Sequence, residues 1–278
     1  MFWSKLLRFF SEDIAMDLGT ANTLLYTRDG GIIVNEPSVV AIDTRNNEVL
    51  AVGSEAKRAR GRTPKRIKTI RPMKSGVIAD FDTTSRMIVY FVNKAIGRSH
   101  LVKPSLVISV PTGITGVEKK AVIDAAATAG AGRVSLIEEP MAAAIGADLP
   151  VTEPVGTLIA DIGGGTSEVA VITMSAITVS QSIRIAGDAM NEILLRMLRD
   201  KYRLDVGENT AEHLKILLGS TQPVPDLPDY AEISGRDLVS GVPMTKKVTS
   251  EDVRLALKEP VEEIASAVMR VLEKTPPE

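Results

Sequence analysis

Two short segments of this chain have the residue types and the spacing of phosphate-binding turns. The first covers residues 17–23 (DLGTANT) and the second covers residues 161–167 (DIGGGTS). Each follows an apolar stretch, places an aspartate two residues before a glycine, and continues into another β-rich stretch. The two aspartates lie 144 residues apart (161 − 17), and the match indicates an internal duplication of one strand–turn–strand unit.

Such turns are suited to binding a polyphosphate. Glycine lets backbone N–H groups approach an anion closely, and consecutive N–H groups form an anion-binding concavity. The hydroxyls of Thr20 and Thr166 add donors, and Asp17 and Asp161 can hold Mg²⁺ through its waters, because Mg²⁺ dehydrates reluctantly. Neither segment is a Walker A loop or a dinucleotide-binding fingerprint. A pair of ordinary hairpin turns is the alternative, and the matched Asp and Thr of the two copies count against it.

The surrounding pattern alternates strands and helices, which predicts an α/β fold. Strands are predicted at 14–18, 23–27, 32–34, 39–42, 49–52, 106–110, 134–137, 157–162 and 169–173. Helices are predicted at 83–96, 115–130, from Pro140 onward, and at 188–202, 208–218 and 250–272. Thr115 and Glu118 have capping-box spacing, and Ser250 followed by two acidic residues suits a helix start.

Composition limits the class of protein. The chain has 278 residues, a length typical of about two domains. Its net charge of −2 gives no overall field for nucleic acid, and the absence of cysteine excludes disulfides. With only His100 and His213 present, a histidine-based metal site is not expected. No run of 18 apolar residues or cleavable signal peptide is found, so we expect a cytoplasmic protein.

One stretch of the chain is strongly basic. It holds nine basic residues and no acidic one: Lys57, Arg58, Arg60, Arg62, Lys65, Arg66, Lys68, Arg71 and Lys74. A nucleic-acid patch is the alternative, but no aromatic residue is interleaved for base stacking. A solvated or subunit-contacting face is favoured, and no nucleic-acid partner is expected.

The first ten residues form an amphipathic pattern. On a helical wheel the apolar side chains fall in one arc and the polar, cationic ones in the other. The apolar arc holds Phe2, Trp3, Leu6, Leu7, Phe9 and Phe10. This pattern is typical of a helix that lies in a membrane interface. A terminal helix packed on its own domain or on a partner subunit is the alternative.

These motifs together resemble a known family. The two turns look like the phosphate 1 and phosphate 2 motifs of the actin, sugar kinase and DnaK-type ATPase superfamily, and residues 136–146 look like its connecting helix. Within the superfamily the chain most resembles the bacterial actins of the MreB family, through residues 17–23, 138–146, 161–171 and 186–192.

The resemblance implies an actin-like (ribonuclease H-like) two-lobed ATPase fold with four subdomains. They would comprise residues 11–32 with 75–146, residues 33–74, residues 147–181 with 246–278, and residues 182–245. It also implies a slow ATPase with ATP and Mg²⁺ as ligands, which polymerises on the inner face of the cytoplasmic membrane and maintains rod shape by organising cell-wall synthesis. The implied partners are further copies of the chain, the membrane surface, and cell-shape and wall-synthesis proteins. A nucleotide-binding scaffold or a superfamily kinase is the alternative.

The resemblance also assigns roles to residues. Phosphate contacts are implied for Gly19, Thr20, Ala21, Asn22, Gly163, Gly164, Gly165 and Thr166. Mg²⁺ is expected at Asp17 and Asp161, and catalysis at Glu139, which would position the attacking water, with Thr166, which would polarise it. Nucleoside contacts are implied for Gly187, Asp188, Glu212 and Lys215. Leu101 and Val102 offer a second membrane contact or are ordinary strand-edge residues.

Three of these residues have simpler explanations. A carboxylate just before a helix, such as Glu139, can act as a cap alone, and Glu212 with Lys215 has the spacing of a surface ion pair. The superfamily also has a glycine-rich adenosine motif and a returning helix near its C-terminus, and neither is found here. We therefore expect a truncated sequence with an incomplete adenine pocket.

Overall fold

A computed structural model describes residues 13–60, 64–96 and 103–277. The described residues up to Ser182 belong to one compact unit, and Ile183–Pro276 form the other. Within these ranges no helix is long and apolar enough to cross a membrane. Outside them lie all the predicted membrane contacts: Phe2, Trp3, Leu6, Leu7, Phe9, Phe10, Leu101 and Val102.

The first unit contains most of the strands. They are β1 (Asp13–Leu18), β2 (Asn22–Thr27), β3 (Gly31–Pro37), β4 (Val40–Asp43), β5 (Glu48–Val52), β6 (Ile67–Ile70), β7 (Met73–Lys74), β8 (Val77–Ile78), β9 (Ser105–Val110), β10 (Arg133–Glu138), β11 (Thr157–Ile162), β12 (Ser167–Thr173) and β13 (Ala176–Ile183), which ends at the boundary. Its helices are α1 (Ser54–Ala59), α2 (Phe81–Ile96), α3 (Gly116–Thr128) and α4 (Glu139–Gly146).

The main sheet of this unit has the order β10-β9-β1-β2-β3. β1, β9 and β10 are parallel, whereas β1, β2 and β3 are joined as antiparallel hairpins. Buried and exposed residues alternate along β1, because successive side chains point to opposite faces. The register pairs Ser109 with both Asp17 and Ile137. The carboxyl ends of the three parallel strands therefore lie level at one edge of the sheet.

Apolar side chains of the sheet, α2 and α3 form the core of the first unit. Its fully buried members include Ile14, Leu25, Met87, Phe91, Leu106, Ile108 and Ala125. Burial of each large side chain contributes about 1.5–3 kcal/mol.

At α3 the predicted capping box is confirmed, since Thr115 accepts from Glu118 N and Glu118 accepts from Thr115 N.

A second sheet of the first unit has the order β11-β12-β13. β11 and β12 form an antiparallel hairpin in which Asp161 pairs with Glu168 and Ile162 with Ser167. β12 is almost entirely buried, whereas exposed and partly buried positions alternate in β13. The glycine-rich turn at residues 163–166 is therefore the tip of a hairpin whose second strand lies in the interior.

The second unit is built from three helices and a small sheet. Its elements are α5 (Gly187–Tyr202), β14 (Leu204–Asp205), α6 (Glu208–Leu218), β15 (Tyr230–Asp237), β16 (Pro243–Thr249) and α7 (Ser250–Lys274). The strands pair in the order β14-β15-β16. Leu194, Leu214, Val248 and Val253 are fully buried between the helices and this sheet.

The sequence predicted most helices closely and missed several strands. The helix predicted at 208–218 is confirmed as α6. The helix start predicted at Ser250 is confirmed as the start of α7, and Thr249, the residue before it, caps the helix, because its side chain accepts from Asp252 N. No strand was predicted for β6, β13, β15 or β16, where charged residues, glycine or polar side chains weaken the alternation. The four-subdomain division stays a prediction.

The carboxylate of Glu36 ties β3 to α1 and α2. Ser54 N and Ser54 Oγ donate to one oxygen at 2.7 and 2.5 Å, and Lys94 Nζ donates to the other at 2.6 Å. Burial acts to raise the pKa of Glu36, but the hydrogen bonds from Lys94 and Ser54 lower it to about 2. The ionised carboxylate therefore stabilises this part of the fold.

Glu36→Ala should lower the free energy of unfolding by about 2 kcal/mol at pH 7, because the Ser54 groups lose a charged acceptor. The difference should shrink as the pH falls from 4.5, the usual value, towards 2, since the wild-type carboxylate is then protonated. Urea unfolding at pH 7 and pH 3 measures both effects. Lys94→Ala is the control and should cost less than about 1 kcal/mol, because the Lys94 side chain is 45% exposed. Equal losses in the two variants would contradict the prediction.

Candidate functional site

The first glycine loop, residues 19–21, joins β1 to β2 and is held by Ser38. Ser38 Oγ donates to Gly19 O at 2.7 Å, and Ser38 N donates to Ala21 O at 2.9 Å. The hydroxyl of Ser38 also lies 2.9 Å from that of Thr23, and both side chains are fully buried. Ser38, directly after β3, therefore fixes the conformation of the loop.

The second glycine loop, residues 163–165, joins β11 to β12 and lies against the first. Gly163 N donates to Thr166 O at 2.9 Å, which closes the turn. A Cβ added to Gly164 would lie 2.5 Å from the Cβ of Ala21, and one added to Gly165 would lie 2.6 Å from Thr20 Oγ1. The structure thus brings the two sequence-predicted loops into direct contact, at a separation that excludes a side chain on either glycine.

A third turn, which the sequence analysis did not single out, meets both loops. Ser75 and Gly76 join β7 to β8 with φ angles of 49° and 76°, as in a type I′ turn. Gly76 N donates to Thr20 Oγ1 at 2.9 Å. A Cβ on Gly76 would lie 2.7 Å from Pro111 Cγ and 3.2 Å from Thr166 Cγ2. The Ser-Gly dipeptide was the available signal for this turn.

Carboxylates approach these loops from several strand ends. Asp17 lies just before the first loop and accepts a hydrogen bond from Ser109 Oγ at 2.9 Å. Glu139 begins α4 immediately after β10, and Asp161 lies in β11 just before the second loop. The parallel register of β1, β9 and β10 explains why Asp17 and Glu139 come to the same edge of the sheet.

Glu168 joins this group, and the sequence analysis did not name it. Its side chain is 1% exposed. Thr112 N donates to Glu168 Oε2 at 3.1 Å, Thr112 Oγ1 donates to the same oxygen, and Ser182 Oγ donates to Oε1. The signal in the sequence was one acidic residue in an otherwise uncharged, largely apolar strand, because a buried carboxylate needs dedicated partners.

The negative charges raise one another's proton affinity. Burial, and then the charges of Asp17, Glu168 and Asp161, raise the pKa of Glu139 to about 8. Burial, Asp17 and Glu168 also raise the pKa of Asp161. The Asp17 side chain keeps contact with solvent, yet the desolvation by the protein around it raises its pKa against the Ser109 hydrogen bond. Binding a cation would relieve this repulsion.

The carboxylate oxygens of the site suit a hard cation that is held through its bound waters. Among the residues that the structure describes, no group of three or more His, Asp and Glu side chains could hold a metal ion directly. Asp17 and Asp161 supply carboxylate oxygens beside the two loops, and such oxygens suit Mg²⁺ that keeps several waters.

The predicted nucleoside contacts all lie in the second unit. Gly187 and Asp188 begin α5, and Glu212 and Lys215 lie on α6. Lys215 Nζ donates to Gly187 O at 3.0 Å, which links the two helices. The predicted phosphate, metal and catalytic residues, Asn22 at the start of β2 included, lie in the first unit.

Comparison with known proteins decides the family. The family model described as MreB/Mbl protein matches residues 11–278. The chain belongs to the MreB/Mbl family. It is 47% identical over 269 residues to the cell shape-determining protein Mbl of Bacillus subtilis, covering 97% of this chain and 80% of that protein. It is 47% identical over 279 residues to the cell shape-determining protein MreB of Escherichia coli, covering 99% and 80%.

Solved structures agree with membership of the MreB/Mbl family. MreB5 of Spiroplasma citri bound to ADP superposes with a TM-score of 0.90 at 34% identity, covering 96% of this chain and 80% of that one. A MamK double helical filament matches with a TM-score of 0.79 at 21% identity, covering 96% and 81%. The predicted actin-like fold is therefore confirmed.

Gly76→Ala should destabilise the protein by more than about 1–2 kcal/mol, because the positive φ strains any side chain and the added Cβ meets Pro111 and Thr166. Gly113→Ala is the matched control: its φ is +74°, but a Cβ there meets no atom within 4 Å. It should cost only the backbone strain. Thermal unfolding of both variants measures the difference, and an equal loss would show that the contact of Gly76 with the loops is unimportant.

Proposed function

We propose that this chain is a slow, Mg²⁺-dependent ATPase of the cell-shape cytoskeleton that polymerises into membrane-attached filaments and helps to organise cell-wall synthesis. The observation that carries the proposal is the direct contact of two glycine loops beside a group of carboxylates. Membership of the MreB/Mbl family supports it. So do the structures of MreB5 of Spiroplasma citri with ADP and with AMPPNP, since that protein is 34% identical to this chain.

The two loops would bind the phosphates. Backbone N–H groups at strand–turn–strand junctions are suited to this role, and the hydroxyls of Thr20 and Thr166 add donors. The proposed phosphate contacts are Gly19, Thr20, Ala21, Asn22, Gly163, Gly164, Gly165 and Thr166. The nucleoside would contact Gly187, Asp188, Glu212 and Lys215. The Lys215–Gly187 hydrogen bond supports a common surface for these last four residues.

Asp17 and Asp161 would hold Mg²⁺ through its waters. When bound, Mg²⁺ supplies positive charge that neutralises phosphate oxygens. The raised pKa values of both aspartates support this assignment, because neighbouring negative charge and desolvation favour any group that brings positive charge. Ser109 would keep the Asp17 carboxylate oriented through its 2.9 Å hydrogen bond.

Glu139 would position the attacking water, and Thr166 would polarise it. Orienting water is the main requirement for hydrolysing a bound triphosphate. A pKa near 8 suits the acceptance of a hydrogen bond or a proton from water close to neutral pH. Glu139 lies at the start of α4, so the helix fixes the position of its backbone, from which the side chain extends. A single positioned water without a stronger base accounts for slow turnover.

Glu139→Gln should lower kcat for phosphate release by about a hundred-fold, because the amide keeps the shape but cannot accept a proton. The Kd for Mg·ATP should change much less, since the phosphate-binding loops remain. A phosphate-release assay and a fluorescent-nucleotide titration measure the two quantities.

Other outcomes of this assay separate the alternatives. Equal kcat values in variant and wild type would remove Glu139 from the mechanism. Wild-type protein that binds Mg·ATP without turnover would favour the nucleotide-binding scaffold. Transfer of phosphate to an added sugar would favour the superfamily kinase.

Assembly and membrane attachment are proposed from the family and from residues 1–10. In flotation with anionic vesicles, the wild type should move with the lipid and form filaments visible by electron microscopy in Mg·ATP. Deletion of residues 1–10 should abolish flotation, because Phe2, Trp3 and their apolar neighbours are lost. Leu101→Ser with Val102→Ser tests the second proposed contact. Unchanged flotation after the deletion would reject residues 1–10 as a membrane anchor. Packing of this segment on its own domain or on a partner subunit would then be favoured.

A further inference from the structure

Glu168 differs from the other carboxylates of the site in its burial. It is 1% exposed, whereas Asp17 is exposed and Glu139 and Asp161 are partly exposed. A carboxylate that remains in contact with solvent can exchange its neighbours as a ligand binds. A buried one keeps the partners that the fold gives it.

The partners of Glu168 hold its carboxylate in place and are all uncharged. It accepts hydrogen bonds from the N–H and the hydroxyl of Thr112 and from the hydroxyl of Ser182. All three donors are neutral groups, so none of them brings a positive charge to the carboxylate. Glu168 is therefore a carboxylate held at a fixed position inside the protein.

This fixed charge lies close to where phosphates are proposed to bind. Glu168 pairs with Asp161 across the hairpin and follows Thr166, the residue after the second glycine loop, by two positions. Its charge acts on both Glu139 and Asp161. A nucleotide at the loops would meet the same field.

The consequence depends on whether the nucleotide carries a metal. A metal-free triphosphate brings several negative charges towards the carboxylates, and charges within a partly desolvated site are poorly screened by salt. A bound Mg²⁺ cancels two of those charges. Repulsion by a fixed negative charge therefore weakens the binding of the free nucleotide more than that of its Mg²⁺ complex.

We propose that Glu168 is a specificity-determining residue that makes the site reject metal-free nucleotide and accept the Mg²⁺ complex. The inference rests on the proposed binding of nucleotide to the two glycine loops. It concerns the choice between two forms of that ligand, and Glu168 itself need not touch either.

Glu168→Gln isolates the charge from the hydrogen bonds. The glutamine carbonyl can accept from Thr112 N and Oγ1, while its amide can donate to Ser182 Oγ, which is able to accept. Thr112→Val is the matched control, because it removes one hydrogen bond and leaves the charge and the backbone donor in place. A purely structural role of Glu168 would make the two variants behave alike.

The experiment measures the Kd for ATP by calorimetry in excess Mg²⁺ and in EDTA. In Glu168→Gln the ratio of the EDTA value to the Mg²⁺ value should fall by at least about ten-fold, because removing one negative charge relieves more repulsion of the free polyphosphate than of its Mg²⁺ complex. Most of the fall should come from tighter metal-free binding. Thr112→Val should keep the wild-type ratio. In the wild type the ratio should rise from AMP to ADP to ATP.

The remaining outcomes overturn the proposal in distinguishable ways. If the wild type binds Mg·ATP and Glu168→Gln keeps the wild-type ratio, the role of Glu168 is wrong and the proposed function stands. If the wild type binds no Mg·ATP, the proposed function itself fails. If thermal unfolding shows that Glu168→Gln does not fold while Thr112→Val does, the charge serves the fold and the proposal is rejected.

Discussion

The close approach of two glycine loops is the contact on which this site depends. Gly164 and Gly165 come so near to Ala21 and Thr20 that no side chain fits between them. That approach joins the β1–β2 hairpin to the β11–β12 hairpin, and the turn at Gly76 joins the same point through Thr20. Since each loop follows an aspartate, the contact also brings two carboxylates from distant parts of the sequence to one place.

That arrangement also concentrates negative charge in one place. Glu139 and Asp161 have raised pKa values because desolvation and neighbouring carboxylates disfavour their ionised forms. Thr112, Ser182 and Ser109 supply neutral donors that hold individual carboxylates without neutralising the group. The negative charges of such a site repel one another when no ligand is bound, and the site therefore favours a ligand that brings a cation.

Sequence patterns predicted those elements that are stabilised by interactions within one segment of the chain. The capping box at Thr115 and the limits of α6 follow from hydrogen bonds and periodicity within one segment. The turn at Gly76 and strands β13, β15 and β16 were missed, because their apolar pattern is weak and pairing with neighbouring strands stabilises them.

The sequence by itself determined the two glycine-rich motifs, the α/β class and the resemblance to the MreB/Mbl family, because these depend on residue types at short spacing. Only the tertiary structure decided which groups surround the motifs. In the sequence, Glu168 is one acidic residue in an apolar strand. Its hydrogen bond from Thr112, 56 positions away, is visible only in the folded chain. The raised pKa of Glu139 likewise results from its burial and from the nearby charges of Asp17, Glu168 and Asp161. Charge–charge interaction and desolvation depend on distance in space, which spacing along the chain does not specify.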